Sequence, residues 1–392
     1  MRTKGIAAAL AVVGAIGVGS AVLAAPANEA DDRFDQITGP MGKYVVRPED
    51  FGIDASRTLV DVPSLLAQVD AAREKGVIDD LDYPRTAAGP ESNRQDVRDY
   101  ISEALADAGY EVQTQSVVLD GVDSPNLYAE LPGTECPSRS IVIGAHHDTL
   151  NAKGSGADDN TSGTAGMLEL ARILHDHPLP VTVRFASWSY EEVGLVGSFA
   201  MAREMKADGR ALVGAISLEM IGYTEPDTDP LTGLPGTYLA MVSDPTSAPV
   251  ARAFGAAAYT YVPEFPGFGA VIDPNVLPDI LRSDHAAFLA SGYPVLMATD
   301  TANFRNPNYH QATDTPDTID VDFLGGSTRA ALAGLVTLAS VDQDQDGRAD
   351  ACTRSLAATT TTTVPTTATT AVGGGTGATP ATPVDGTSSF TG

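Results

Sequence analysis

Five short stretches carry residue types suited to binding divalent ions and moving protons. In Gly144-Ala-His-His-Asp-Thr149 an imidazole precedes a carboxylate by two positions, so His146 can face a site while Asp148 holds its ring in orientation. Gly156-Ala-Asp-Asp-Asn-Thr-Ser-Gly163 offers Asp158 and Asp159 just before a helical pattern, where capping that helix is the simpler use. Ser189-Tyr-Glu-Glu-Val-Gly194 pairs Glu191 with Glu192, and two carboxylates of different role, one on metal and one on a proton, are what metal-assisted hydrolysis needs. Glu219 ends an apolar run in Ser217-Leu-Glu-Met-Ile-Gly-Tyr223, which costs desolvation unless a positive group meets it. Asn306-Pro-Asn-Tyr-His310 adds a second imidazole. Each stretch alone has an ordinary structural use. Together, two imidazoles and three carboxylates at successive strand ends make the ligand set for a pair of divalent ions.

The elements that position them follow from hydrophobic periodicity. Residues 91–108 place Val97, Ile101, Leu105 and Ala108 on one helical face, with Gly109 as a C-terminal cap. Residues 110–118 alternate as a half-buried strand does, residues 164–174 read as a helix, and 140–145, 181–188, 212–218 and 295–299 are short apolar runs. This rhythm predicts a single globular α/β domain with a mixed, mostly parallel twisted sheet and helices on both faces. In such sheets chemistry sits beyond the carboxyl ends of the strands, where the five stretches lie.

In order and spacing, GAHHDT, GADDNTSG, SYEEVG, SLEMIGY and NPNYH resemble the exported co-catalytic dizinc aminopeptidases, the family of bacterial leucyl aminopeptidases and yeast aminopeptidase Y. The resemblance spans residues 85–338 and implies a zinc exopeptidase fold with two zinc ions. It implies that His146 and Glu219 bind one zinc, Glu192 and His310 the other, and that Asp158 bridges both through a strained peptide to Asp159. Glu191 would be the general base, Asp148 the partner orienting His146, and Tyr309 the group steadying the oxyanion. Many relatives have Asp where this chain has Glu219, whose longer arm would alter that metal position. The implied activity is removal of the first residue from peptides with free amino ends. Met220, Phe265, Phe268 and Phe304 are candidates for a pocket favouring large apolar first residues. Carboxypeptidases, glutaminyl cyclases and non-enzymatic surface proteins share the scaffold, although the full ligand set argues against the last two.

The chain has 24 Lys+Arg against 51 Asp+Glu, a net charge of −27, which denies it the basic footprint that nucleic acid requires. Residues 1–25 read as a cleaved signal peptide, with Arg2 and Lys4 ahead of an apolar Ala/Gly-rich run. A secreted protein without a stable membrane anchor, and a monomer, is therefore expected. Residues 26–84 read as an extension packing on the core, 85–340 as the peptidase domain, 341–352 as an acidic loop, and 353–392 as a disordered Thr/Pro/Gly-rich tail that would associate the protein with the cell surface. In an exported chain the pair Cys136 and Cys352 favours a disulfide over a two-cysteine metal site. The acidic loop sets Asp342, Asp344 and Asp346 at alternate positions, followed by Gly347 and Asp350, and resembles a thrombospondin type 3 repeat; a solvated acidic linker is the simpler reading, and a Ca²⁺ site the alternative that its oxygen ligands suit. His175 and His177 are assigned to a helix end, Ser283-Asp284-His285 to a supporting role, and the sequon at Asn160 to chance.

Overall fold

Three consecutive apolar residues, Ile141, Val142 and Ile143, are fully buried, and their side chains enter two different cores. Because strand side chains alternate, a continuous apolar run of this kind is buried on both faces, so helices must cover both. The computed structural model describes residues 34–353; the readings placed on residues 1–25 and 354–392 lie outside them.

The main sheet comprises β1 (Gln113–Gln115), β2 (Asn126–Leu131), β3 (Cys136–His146), β4 (Val181–Trp188), β5 (Ala211–Glu219), β6 (Leu239–Ser243), β7 (Gly267–Val271) and β8 (Val295–Thr299). Their order is β1-β2-β4-β3-β5-β8-β6-β7. The four central strands β4, β3, β5 and β8 are mutually parallel, and antiparallel pairings flank them at β1–β2, β2–β4 and β8–β6. Apart from short turns of helix at Val62–Leu66 and Asp350–Thr353, the α-helices are α1 (Ala71–Asp80), α2 (Glu91–Asp107), α3 (Gly163–Leu174), α4 (Val196–Ala207), α5 (Ala248–Tyr261), α6 (His285–Ala290) and α7 (Val321–Ser340). The larger core gathers Ile101, Leu170, Phe254 and Leu335 from α2, α3, α5 and α7. On the opposite face Met201, Met205 and Phe288 from α4 and α6 pack against Trp188 and Val142. Among the described residues no helix is long and apolar enough to cross a membrane.

The chain preceding the sheet is stitched to the domain by isolated antiparallel bridges, Val45 to Ala270 on β7 and Thr58 to Val341 just past α7. At the other end, Cys136 and Cys352 form the expected disulfide, closing a sequence separation of 216 residues. Arg348 Nε and the Ala349 amide donate to the two carboxylate oxygens of Glu135 beside it, so the acidic loop is held against the start of β3.

Glu74 on α1 is a buried carboxyl away from the strand ends. Thr328 donates to its Oε1, whereas Oε2 makes no hydrogen bond among the described residues. Burial, reinforced by Glu169, raises its pKa to about 8. A folded-state pKa above the unfolded value favours folding below the unfolded pKa and loses that contribution as pH rises. The free energy of unfolding should therefore fall by a few kcal/mol between pH ~4.5 and ~8 on account of this group. Glu74→Gln should match the parent near pH 4 and exceed its stability near pH 9 in denaturant titrations. Parallel pH profiles would refute this.

Candidate metal centre

Four central strands end side by side, and the residues that close or follow them turn into one acidic cavity. His146 is the last residue of β3 and Glu219 of β5; Glu191 and Glu192 follow β4 after Ser189 and Tyr190, and His310 lies beyond β8. The connecting backbone is tightly turned, since Tyr190, Met220, Thr301 and His310 all have positive φ (58°, 53°, 81° and 59°). Such conformations in non-glycine residues persist where surrounding structure over-determines them, and they concentrate at functional sites.

His146 is fully buried. Its Nδ1 lies 3.1 Å from the carbonyl oxygen of Asp148, so Nδ1 carries the proton and Nε2 faces the cavity. There Nε2 meets Glu219 Oε1 at 3.4 Å, Asp159 Oδ1 at 3.4 Å and Glu191 Oε2 at 3.9 Å. On the other side His310 Nε2 lies 3.3 Å from Asp159 Oδ2 and 3.2 Å from Glu192 Oε2. The predicted pairs His146 with Glu219 and Glu192 with His310 are thus brought together, and one carboxylate faces both imidazoles.

That carboxylate belongs to Asp159, which corrects the expectation for Asp158. Asp158 points the opposite way: its Oδ1 accepts from the Gly222 amide and its Oδ2 from Asn306 Nδ2, and it sits beside Asp300. The reason is the path of the backbone. Asp314 accepts from the amides of both Asp158 (2.9 Å) and Asp159 (3.0 Å), fixing them in a turn that sends adjacent side chains to opposite sides. The one cis peptide among the described residues follows Asp159, not Asp158.

Electrostatics sort the same residues. Burial tends to raise Asp159, but the imidazoles of His146 and His310 outweigh it and hold the carboxyl well below its usual range. Burial and the carboxyl of Asp300 push Asp158 far up, which favours its neutral form. Burial, together with Glu219, Glu192 and Asp284, also raises Glu191 well above an ordinary glutamate. Glu192 rises to about 7 through burial and Asp159. Asp159 Oδ2 and Glu192 Oε1 are buried and make no hydrogen bond among the described residues. A cavity with two imidazole nitrogens, carboxylates from three residues and two such oxygens fits divalent cations.

The supporting shell is dense. Asp148 lies 3.6 Å from His146 Nδ1 through Oδ1 and accepts from the amides of Glu191 and Glu192, so it orients the imidazole and the two-glutamate turn together. Ser283 Oγ donates to Glu219 Oε2 at 2.7 Å, which gives Ser283-Asp284-His285 its supporting role, while His285 Nε2 donates to the Ile280 carbonyl. Tyr309 stacks on His310 with ring centroids 3.7 Å apart, and its hydroxyl accepts from Arg282 Nη2.

Two further residues hold the site together: Arg85, to which the sequence assigns no role, and Asn160, which reads in the sequence as a chance sequon. Arg85 is buried and donates to the carbonyls of Leu81, Tyr83, His147 and Ser155 and to the hydroxyl of Thr161, tying β3 to the metal loop. Asn160 accepts from the amides of Gly163 and Met220 and donates to Leu218, so the sequon asparagine is a buried knot. The loop motif contains Asn160, whereas nothing in the sequence around Arg85 signalled it.

An apolar pocket opens beside Glu219, Ser283 and Tyr309. Of the four expected lining residues only Phe304 contributes. Met220 is fully buried, Phe265 packs on Phe323 and Phe268 stacks on Tyr238, so these three are core. In the acidic loop, carboxylate oxygens of Asp342, Asp344 and Asp350 lie within 4.8 Å of one another, whereas Asp346 is outside that group and accepts from the Arg348 amide.

Residues 126–335 match the family described as Peptidase family M28. The uncharacterized protein YfbL of Escherichia coli (strain K12) is 30% identical over 281 residues, covering 65% of this chain and 82% of YfbL. A probable leucine aminopeptidase of Arthroderma otae is 29% identical over 230 residues, covering 55% of this chain and 56% of that protein, so this chain spans only about half of it. The crystal structure of the LapA aminopeptidase of Legionella pneumophila has a TM-score of 0.59 at 19% identity, covering 76% of each chain, and shows the shared fold.

Proposed function

Because the chain belongs to peptidase family M28, and is thus a hydrolase of peptide bonds, we propose that it is a secreted zinc aminopeptidase removing large apolar first residues from peptides. The observation that carries this reading is the convergence of His146, Asp159, Glu192, Glu219 and His310, with Glu191 beside His146. His146 and Glu219 would hold one ion, Glu192 and His310 the second, and Asp159 would be shared. When bound, the two ions would acidify water toward neutrality and polarise the scissile carbonyl.

The remaining work falls to side chains. Glu191, with its raised pKa, takes the proton of the attacking water and returns it to the leaving amine. Tyr309 accepts its hydrogen bond from Arg282, which leaves its own proton available for the developing oxyanion. The excess of carboxylates suits a substrate ammonium group, and the apolar pocket beside Glu219 suits the first side chain. The name of the Arthroderma otae relative agrees with this substrate class. The sequence of residues 1–25 and the disulfide support export.

The test is mass spectrometry of a peptide pool, half of it amino-acetylated, incubated with zinc-loaded protein. Stepwise loss from free amino ends alone is the expected result. Loss from carboxyl ends, or conversion of amino-terminal Gln to pyroglutamate, would overturn the assignment.

The proposal extends to Ca²⁺ at Asp342, Asp344 and Asp350. Asp342 already accepts from the amides of Asp346 and Gly347, so the loop curls around its carboxylate. Millimolar Ca²⁺ should raise Tm by a few degrees, and Asp344→Asn should abolish the rise. An unchanged Tm would refute this.

A further inference from the structure

The apolar pocket beside Glu219 is closed by a residue far from every motif. Met41 lines it together with Leu231, Ile272, Met297, Phe304 and Tyr309, and Met41 itself is only 3% exposed. It comes from the chain preceding the matched residues 126–335, so this wall lies outside the matched region.

The segment carrying Met41 is strapped down on both sides. The amides of Thr38 and Gly39 donate to the Thr232 carbonyl, and the Met41 amide donates to the carbonyl of Leu231, another lining residue. Beyond Met41, Val45 pairs with Ala270 and the Val46 amide donates to Gly269, on the edge strand β7. The approach is closest at Gly39, where a Cβ would lie 2.4 Å from the Leu231 carbonyl oxygen, so only glycine lets the strap sit this deep. Methionine is unbranched and adapts to what it packs against, so at a pocket wall it sets a size limit without a rigid shape.

We infer that the strap of residues 37–46 is a built-in wall of the first-residue pocket, and that Met41 determines which apolar first residues fit. The inference rests on the aminopeptidase reading for its substrate class, and on lining and hydrogen bonding for the wall itself.

The experiment compares kcat/KM on Ala, Leu, Phe and Trp p-nitroanilides for the zinc-loaded parent and three variants, with Tm recorded for each. Met41→Ala deepens the pocket and should raise Phe and Trp relative to Leu by about tenfold; Met41→Phe should lower Leu relative to Ala by about tenfold. Gly39→Ala keeps the Met41 side chain but pushes the strap that carries it off Leu231, and should shift the ratios as Met41→Ala does. Ratios unchanged within about twofold, at unchanged Tm, would overturn the inference.

A second readout needs no turnover and no destabilised variant. In protein labelled with methyl-¹³C methionine, the Met41 signal, assigned through Met41→Leu, should shift saturably with L-leucinol and L-phenylalaninol, which carry the amino group and side chain but no scissile amide. A signal that stays put overturns the inference. If the parent cleaves no free-amino substrate while the Met41 methyl still responds, the aminopeptidase reading falls and the pocket wall stands.

Discussion

Glu191→Gln will lower kcat by about a thousandfold or more while leaving bound metal unchanged and Tm no lower than the parent's. The two halves of this expectation have separate physical grounds. Glu191 Oε2 lies 3.9 Å from His146 Nε2, outside hydrogen-bond range, so an amide there breaks no hydrogen bond to that imidazole. Its carboxyl is buried among Glu219, Glu192 and Asp284, and the neutral isostere relieves that crowding, so the fold keeps or gains stability. An amide can neither accept the water's proton nor pass one on at working pH, and general acid–base catalysis accounts for about 10²–10⁴ in rate, with further loss when one group serves both steps. Glu191→Asp should fall between parent and Gln, because it keeps the carboxyl and retracts it by one methylene. The checks are steady-state kinetics with plasma emission metal analysis. A Gln variant with more than a tenth of parental kcat would remove Glu191 from the chemistry.

The second large effect separates two neighbouring aspartates. Asp159→Asn replaces the carboxylate facing both His146 and His310, and should lose at least one of two bound zinc equivalents together with activity, by more than the 10- to 100-fold typical of an outer-shell partner. Asp158→Asn replaces a carboxyl whose environment already favours the neutral form. It would give up one of its hydrogen bonds, from Gly222 or Asn306, at a cost of about 1 kcal/mol. It should retain two zinc equivalents after dialysis. The reverse pattern would restore Asp158 as the shared ligand.

How the sequence speaks of this site depends on the residue. The strand ends are legible because a parallel strand buried on both faces needs an unbroken apolar run, and a His or Glu terminating such a run stands out, as His146 and Glu219 do. The antiparallel flanks are not legible: β6 and β7 are as apolar as the central strands, and direction is decided by connections rather than by side chains. Asp158 and Asp159 are the same residue type in adjacent positions. Only the turn pinned by Asp314, more than 150 residues away, decides which faces the imidazoles. The pocket is assembled from separate segments, with Met41, Leu231, Ile272 and Met297 each contributing one side chain, so no local periodicity marks it. The aromatics at 265 and 268, which looked suited to it, serve the core because Phe323 and Tyr238 offer them rings to pack on.

The central claim is that two cations share Asp159, and anomalous scattering at the zinc edge from crystals of the zinc-loaded protein tests it most directly. Two peaks are predicted, one among His146, Asp159 and Glu219 and one among Asp159, Glu192 and His310. A single peak, or a peak beside Asp158 and Asp300, would contradict it.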